Sequence, residues 1–162
     1  MGYRNLFIAL LVGTALYAFR GGGRPERWTA GLFIGAGLLT LLVHSPWPAR
    51  YVGLETSVLV VDLALLVCLL TIALHADRFW PLLMASFQAM AVAAHAAKAL
   101  DLRLGAGAYQ QALVFWSYAT LPLLVLAVWR HHRRKRLGRE LRDWSSYSAS
   151  KKRSSRTDDN DP

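Results

Sequence analysis

Apolar residues run along this chain in long blocks rather than in short alternating patterns. Five blocks stand out, at residues 5–19, 28–44, 57–75, 79–100 and 109–129. Crossing a bilayer's hydrocarbon core takes about 20 apolar residues, with about 17 to 25 as the working range. Each block is therefore predicted to be a transmembrane helix. The first two are short and have to stand nearly upright or thin the bilayer locally. The breaks carry turn chemistry. Gly21, Gly22 and Gly23, flanked by Arg20 and Arg24-Pro25, end the first block, and Ser45-Pro46-Trp47-Pro48 ends the second. Asp77-Arg78 is so short a link that the third and fourth helices should form an antiparallel hairpin, and Gly105-Ala106-Gly107 separates the last two.

Charge changes this picture by giving it a direction. The chain has 162 residues, a formal net charge of +9 and 54% hydrophobic residues, two averages that normally oppose each other. They coexist because the charge is segregated: residues 130–162 hold 11 of the 19 Lys and Arg against 5 of the 10 acids. A soluble globular domain, a disulfide scaffold and a wholly disordered chain are excluded by this composition. Basic residues in short loops stay cytoplasmic. With the basic tail inside, five spans place the N-terminus outside, and the inner side carries 15 basic residues against 4 on the outer side. Trp28, Trp80 and Trp129 fall at the inner boundary and Tyr3, Trp47, Tyr51 and Tyr109 at the outer one, as interfacial aromatic belts require. The expected fold is thus an all-α integral membrane bundle of five transmembrane helices, N-out and C-in. A cleaved signal peptide ending near Gly13-Thr14-Ala15 is the competing reading of the first block. Its apolar run is at the short limit, and losing it would send the basic tail outside.

Inside so apolar a body, every ionisable residue is a functional candidate, because a charge at the bilayer centre costs roughly 2.5–3.5 kcal/mol on insertion scales. The set is Asp62 in the third helix and Gln88, His95 and Lys98 in the fourth, with His44 and His75 at helix ends. Gln88, Ala91, His95 and Lys98 recur at helical spacing and share one face of an Ala-rich helix. His95 and His44 each lie about 24 Å above the inner boundary at 1.5 Å per residue, and Asp62 is at about 20 Å. Asp62, His95 and His44 therefore share a layer in the outer half, with Glu55 and Lys98 slightly above. The hairpin makes Asp62 facing His95 or Lys98 the expected pair. Three readings stand for it: a structural lock between helices, a proton or ion relay of an acid beside an imidazole, and a b-type haem held by His44 and His95.

Other features say less. Gly31 and Gly35 form a GxxxG that permits close helix packing. Pro122 removes a backbone donor and predicts a kink in the fifth helix. Cys68 is the single cysteine, so there is no internal disulfide or thiolate cluster. The glycine triplet lacks the strand–loop–helix context and Lys-Ser/Thr end of a phosphate loop. No HExxH, GxSxG or paired catalytic carboxylates occur, so no catalytic residue and no metal site is assigned.

The chain divides into the bundle, residues 1–129, a basic stretch, 130–144, and a tail, 145–162. Arg130, Arg133, Arg134, Lys135 and Arg136 continue from the last block, and Leu137, Leu141 and Trp144 recur at i, i+4, i+7. This predicts a basic amphipathic juxtamembrane helix on the inner leaflet, contacting anionic lipids. Residues 145–162 have no apolar period and are expected to be disordered. Docking of a soluble partner is a second use for the tail, and other membrane-protein subunits are the expected partners of the chain as a whole. Nucleic acid is the poorer partner, since no aromatic platform accompanies the charge.

The run Val61-Asp62-Leu63-Ala64-Leu65-Leu66, then Ala76-Asp77-Arg78-Phe79-Trp80-Pro81, then His95, resembles small uncharacterised multi-spanning proteins of alphaproteobacteria over roughly residues 50–135. The resemblance implies a bacterial inner-membrane location and brings no activity, cofactor or site residue. On the residues alone, the leading expectation is a non-enzymatic accessory or scaffold component of a membrane complex. The alternative is a small transport, proton-relay or redox protein using Asp62 and His95.

Overall fold

A computed structural model describes residues 2–43, 54–76, 78–101 and 103–137. Among these it shows five helices: α1 (Gly2–Gly21), α2 (Arg24–Val43), α3 (Thr56–His75), α4 (Trp80–Leu100) and α5 (Ala106–Arg136). The protein is an all-helical bundle. Three helices, α2, α3 and α5, are long and apolar enough to cross a membrane, and α1 contains a shorter apolar stretch.

The helix bounds follow the apolar blocks, with one change at the first break. Three glycines and a proline were expected to interrupt the chain from Arg20 to Pro25, yet only Gly22 and Gly23 lie outside helices. Pro25 sits in the first turn of α2, where its missing N–H would have had no intrahelical partner and its fixed φ suits the helix. Gly22 is needed for close approach. A Cβ there would lie 2.6 Å from the Ala18 carbonyl oxygen and 2.7 Å from Glu26 Cβ. Gly22→Ala is accordingly expected to cost about 1–3 kcal/mol by overpacking. Gly13→Ala, where the new Cβ meets nothing within 4 Å, is the control and should be neutral or stabilising. Unfolding of both variants in mixed micelles checks this.

Each helix packs on its neighbours in sequence, and α1 closes onto α5, so the five form a ring. Gly21 at the end of α1 meets His132 at the end of α5, and Phe7 packs on Tyr118 at a centroid distance of 5.1 Å. The odd-numbered helices therefore run one way and the even-numbered ones the other. One end of the ring gathers Gly21, Glu26, Arg78 and His131. Asp62, His95 and Tyr109 meet towards the opposite end.

The section nearer the first end is filled from all five helices. Leu11 and Ala15 come from α1, Phe33 from α2, Leu65 and Leu69 from α3, Met84 from α4, and Leu121 and Leu124 from α5. A smaller cluster of Ala91, Tyr109 and Leu113 joins α4 to α5 further along. Three hydroxyls on the apolar helices are satisfied locally: Thr71, Ser86 and Ser117 donate to the carbonyls of Val67, Leu82 and Leu113 four residues back, at 2.8–3.0 Å.

Pro122 lies inside an uninterrupted α5 of 31 residues. The basic run continues directly from the last apolar block, as expected. No break separates the bundle from the basic run, which extends α5 by about two turns to Arg136. Arg130, Arg133, Arg134, Lys135 and Arg136 are exposed along it, and Arg133 stacks over the Trp129 ring at 5.5 Å. His131 and His132 are partly covered by the bundle. The remainder of the expected amphipathic helix and the tail lie outside the described residues.

Candidate functional site: a Tyr–His–Asp–Gln chain across three helices

The buried face of α4 explains the site. Pro81, Met84, Ala85, Gln88, Ala91, His95 and Lys98 are the buried residues of this helix, a single stripe at helical spacing that changes from apolar to polar along its length. The polar end faces Asp62 of α3 and Tyr109 of α5.

Four side chains connect there without interruption. His95 is fully buried, and its Nε2 lies 3.0 Å from Asp62 Oδ2. The other ring nitrogen, Nδ1, lies 2.5 Å from the Tyr109 hydroxyl, and the two rings meet edge to face with centroids 5.4 Å apart. Gln88 Nε2 donates to Asp62 Oδ1 at 3.0 Å and to the Asp62 backbone carbonyl at 3.2 Å. With His95 neutral, one proton placement satisfies these bonds: the Tyr109 hydroxyl donates to Nδ1, and Nε2–H donates to the Asp62 carboxylate. The Asp62 side chain retains 19% exposure, so the chain of bonds reaches the edge of the bundle at the acid.

Three of the four intramembrane candidates, Asp62, Gln88 and His95, thus meet directly. Lys98 is placed differently. It is 1% exposed and donates to the Leu104 carbonyl at 2.6 Å, tying the end of α4 to the turn before α5. Glu55, expected slightly above Asp62, is also buried, at 5% exposure. His44 lies outside the described residues. Both ring nitrogens of His95 are hydrogen-bonded within the protein, and His44, the other expected haem ligand, is not among the described residues, so the pair is not brought together here. Among the described residues no three His, Cys, Asp or Glu side chains gather as a metal site.

Tyr109 is a correction to the sequence reading. It was placed in the outer aromatic belt, but it is fully buried and completes the polar chain. The available signal was its place four residues after Gly105, which sets it about as far beyond the α4–α5 turn as His95 is before it.

A second buried polar cluster, at the opposite end, was missed altogether. Glu26 is fully buried, and Arg78 Nη1 bonds to its Oε1 while also lying 3.1 Å from His131 Nδ1. Glu26 Oε2, Thr29 Oγ1 and Trp80 Nε1 are buried without a hydrogen-bond partner among the described residues. The reason for the miss is the helix start. Once α2 begins at Arg24, Glu26, Thr29, Ala30 and Phe33 fall at i, i+3, i+4, i+7 and form its buried face.

The two clusters do not connect. About 21 Å of α3 separates Asp62 from Ala76, and Leu65, Leu69 and Ile72 are buried along it. On α4, Met84 and Ala85 occupy the same interval. The arrangement is two polar clasps with an apolar plug between them. Compared with known family models, characterised proteins and solved structures, the chain matches none.

Proposed function

We propose that this chain is a multi-pass protein of a bacterial inner membrane, with all five helices spanning, the N-terminus outside and the C-terminus in the cytoplasm. Within it we read a non-enzymatic accessory or scaffold subunit of a membrane complex. The observation that carries the reading is the closure of the Tyr109–His95–Asp62–Gln88 chain. Both nitrogens of its imidazole are taken up by Asp62 and Tyr109, and its bonds join α3, α4 and α5. Buried polar groups in a bilayer are either functional or mutually satisfied locks, and here they satisfy one another. The plug of Leu65, Leu69 and Met84 also supports a static bundle, since among the described residues the buried polar groups between the two clasps are the hydroxyls of Thr14 and Thr120 and none is ionisable.

The orientation rests on the basic end of α5, where five exposed Arg and Lys follow Trp129. A fluorescent-protein fusion after Leu137 should fluoresce and an alkaline phosphatase fusion there should be inactive. The reverse pair of signals would refute C-in. Mild-detergent extraction with crosslinking tests the accessory role: the expected product is a heteromeric assembly.

A second reading has one observation in its favour. An imidazole between a phenol and a carboxylate is the geometry of a proton hand-off, and the 19% exposure of Asp62 supplies an opening at one end. Proteoliposome proton flux that falls with His95→Ala would favour that reading over the scaffold.

A further inference from the structure

Gly31 and Gly35 do not pack against another helix among the described residues. A Cβ added at either would meet nothing within 4 Å. They form instead the floor of an open groove of about 620 Å³ along α2 and α3, walled by Ala64 and Cys68 of α3. The groove runs from Arg24 and Arg27 at one end to Leu39, about 22 Å along α2. Half the hydrocarbon core of a bilayer is about 15 Å, so one leaflet's acyl chain fits within that length. The lining is apolar apart from the two arginines. Glu26, the acid between them in sequence, is turned into the bundle onto Arg78 and does not offset their charge on this face. Arg27 is held in place by its Nε, which donates to the Gly22 carbonyl at 3.1 Å. Both arginines are exposed residues.

We infer that this groove is a binding site for one anionic phospholipid, with an acyl chain on the Gly31–Gly35 floor and the headgroup phosphate on Arg24 and Arg27. A second copy of the chain is the competing occupant, since GxxxG surfaces pair helices. Parallel pairing about a two-fold axis would set Arg24 and Arg27 against their own counterparts, like charge on like charge. A lipid phosphate brings the complementary charge. This site is separate from the basic end of α5, and it rests on the membrane reading proposed above.

Native mass spectrometry of the full chain, released from micelles carrying phosphatidylglycerol or phosphatidylcholine with the same acyl chains, tests the inference. The expected wild-type result is one retained phosphatidylglycerol per chain, preferred about thirty-fold, the figure for two basic residues near an anionic surface. Arg24→Gln with Arg27→Gln should bring that preference close to unity. Gly31→Leu with Gly35→Leu should fill the groove and abolish retention of both lipids; open space above both glycines leaves room for the new side chains. Maleimide labelling of Cys68, the single cysteine, gives a second measure, and phosphatidylglycerol should slow it in wild type but not in the leucine pair. Undiminished lipid retention in the leucine pair overturns the proposal, and so does a lipid-free dimer. Carbonate-resistant membrane association of the same proteins separates the two layers of the argument. A wild-type chain absent from membranes defeats both, whereas a membrane-resident chain that retains no phosphatidylglycerol defeats the groove alone.

Discussion

Arg78→Ala is expected to destabilise the bundle by about 3–5 kcal/mol, the usual cost of removing one partner from a buried ion pair. Glu26 is fully buried and the Arg78 side chain is 9% exposed, so solvent does little to replace the lost partner. Arg78 also reaches His131 at 3.1 Å, and its loss therefore loosens α5 as well as α2. The second Glu26 oxygen already lacks a partner among the described residues, so none of them offers the carboxylate an alternative bond. Replacing both members by apolar residues should be far milder, because no uncompensated charge is left behind. Arg78→Ala with Glu26→Leu is thus expected to recover at least half of the single variant's loss. Equilibrium unfolding in mixed micelles or by steric trapping measures both. Simple additivity of the two substitutions would show that the pair does not hold the helices.

His95→Ala is expected to cost about 2–4 kcal/mol. Two interhelical hydrogen bonds disappear, each contributing about 0.6 kcal/mol on average and at most about 1.7 in membrane bundles. The remainder comes from the Tyr109 hydroxyl and Asp62 Oδ2, both left without the imidazole in a largely water-free site. A double-mutant cycle of Asp62→Leu with His95→Leu should give a coupling energy of about 1 kcal/mol or more. Gln88→Leu removes bonds to Asp62 only, and is expected to cost less than His95→Ala. If His95→Ala left stability unchanged while abolishing proton flux, the structural role would fail and the relay would stand.

The positions of the helices were legible because apolar run length is a local property, readable without knowing the neighbours. Depth could be read as well: counting residues from the α3–α4 turn placed Asp62 and His95 in one layer, and they are bonded. What counting could not supply was rotation about each axis. Lys98 shares the helical face of His95, yet its longer side chain turns to the Leu104 carbonyl. Tyr109 stood where an interfacial aromatic is ordinary, and only the packing of α5 against α4 turns it inward. The GxxxG reads as a packing surface in any apolar helix, and the structure leaves it open. Glu26 was hidden by its neighbours, because an acid between Arg24 and Arg27 reads as solvated until the proline is placed within the helix's first turn.

The closing of the ring has a consequence for how the chain is made. Both polar clasps include a residue of the last helix, Tyr109 in one and His131 in the other. A ribosome that has delivered only the first four helices has therefore produced an intermediate whose Asp62–His95 pair and Glu26–Arg78 pair each lack a partner. The arrival of α5 completes the two together and lays the final helix against the first. The packing of one helix, α5, therefore sets the hydrogen bonding at both ends of the bundle at once, and the two clasps are coupled through it although about 21 Å of apolar packing lies between them.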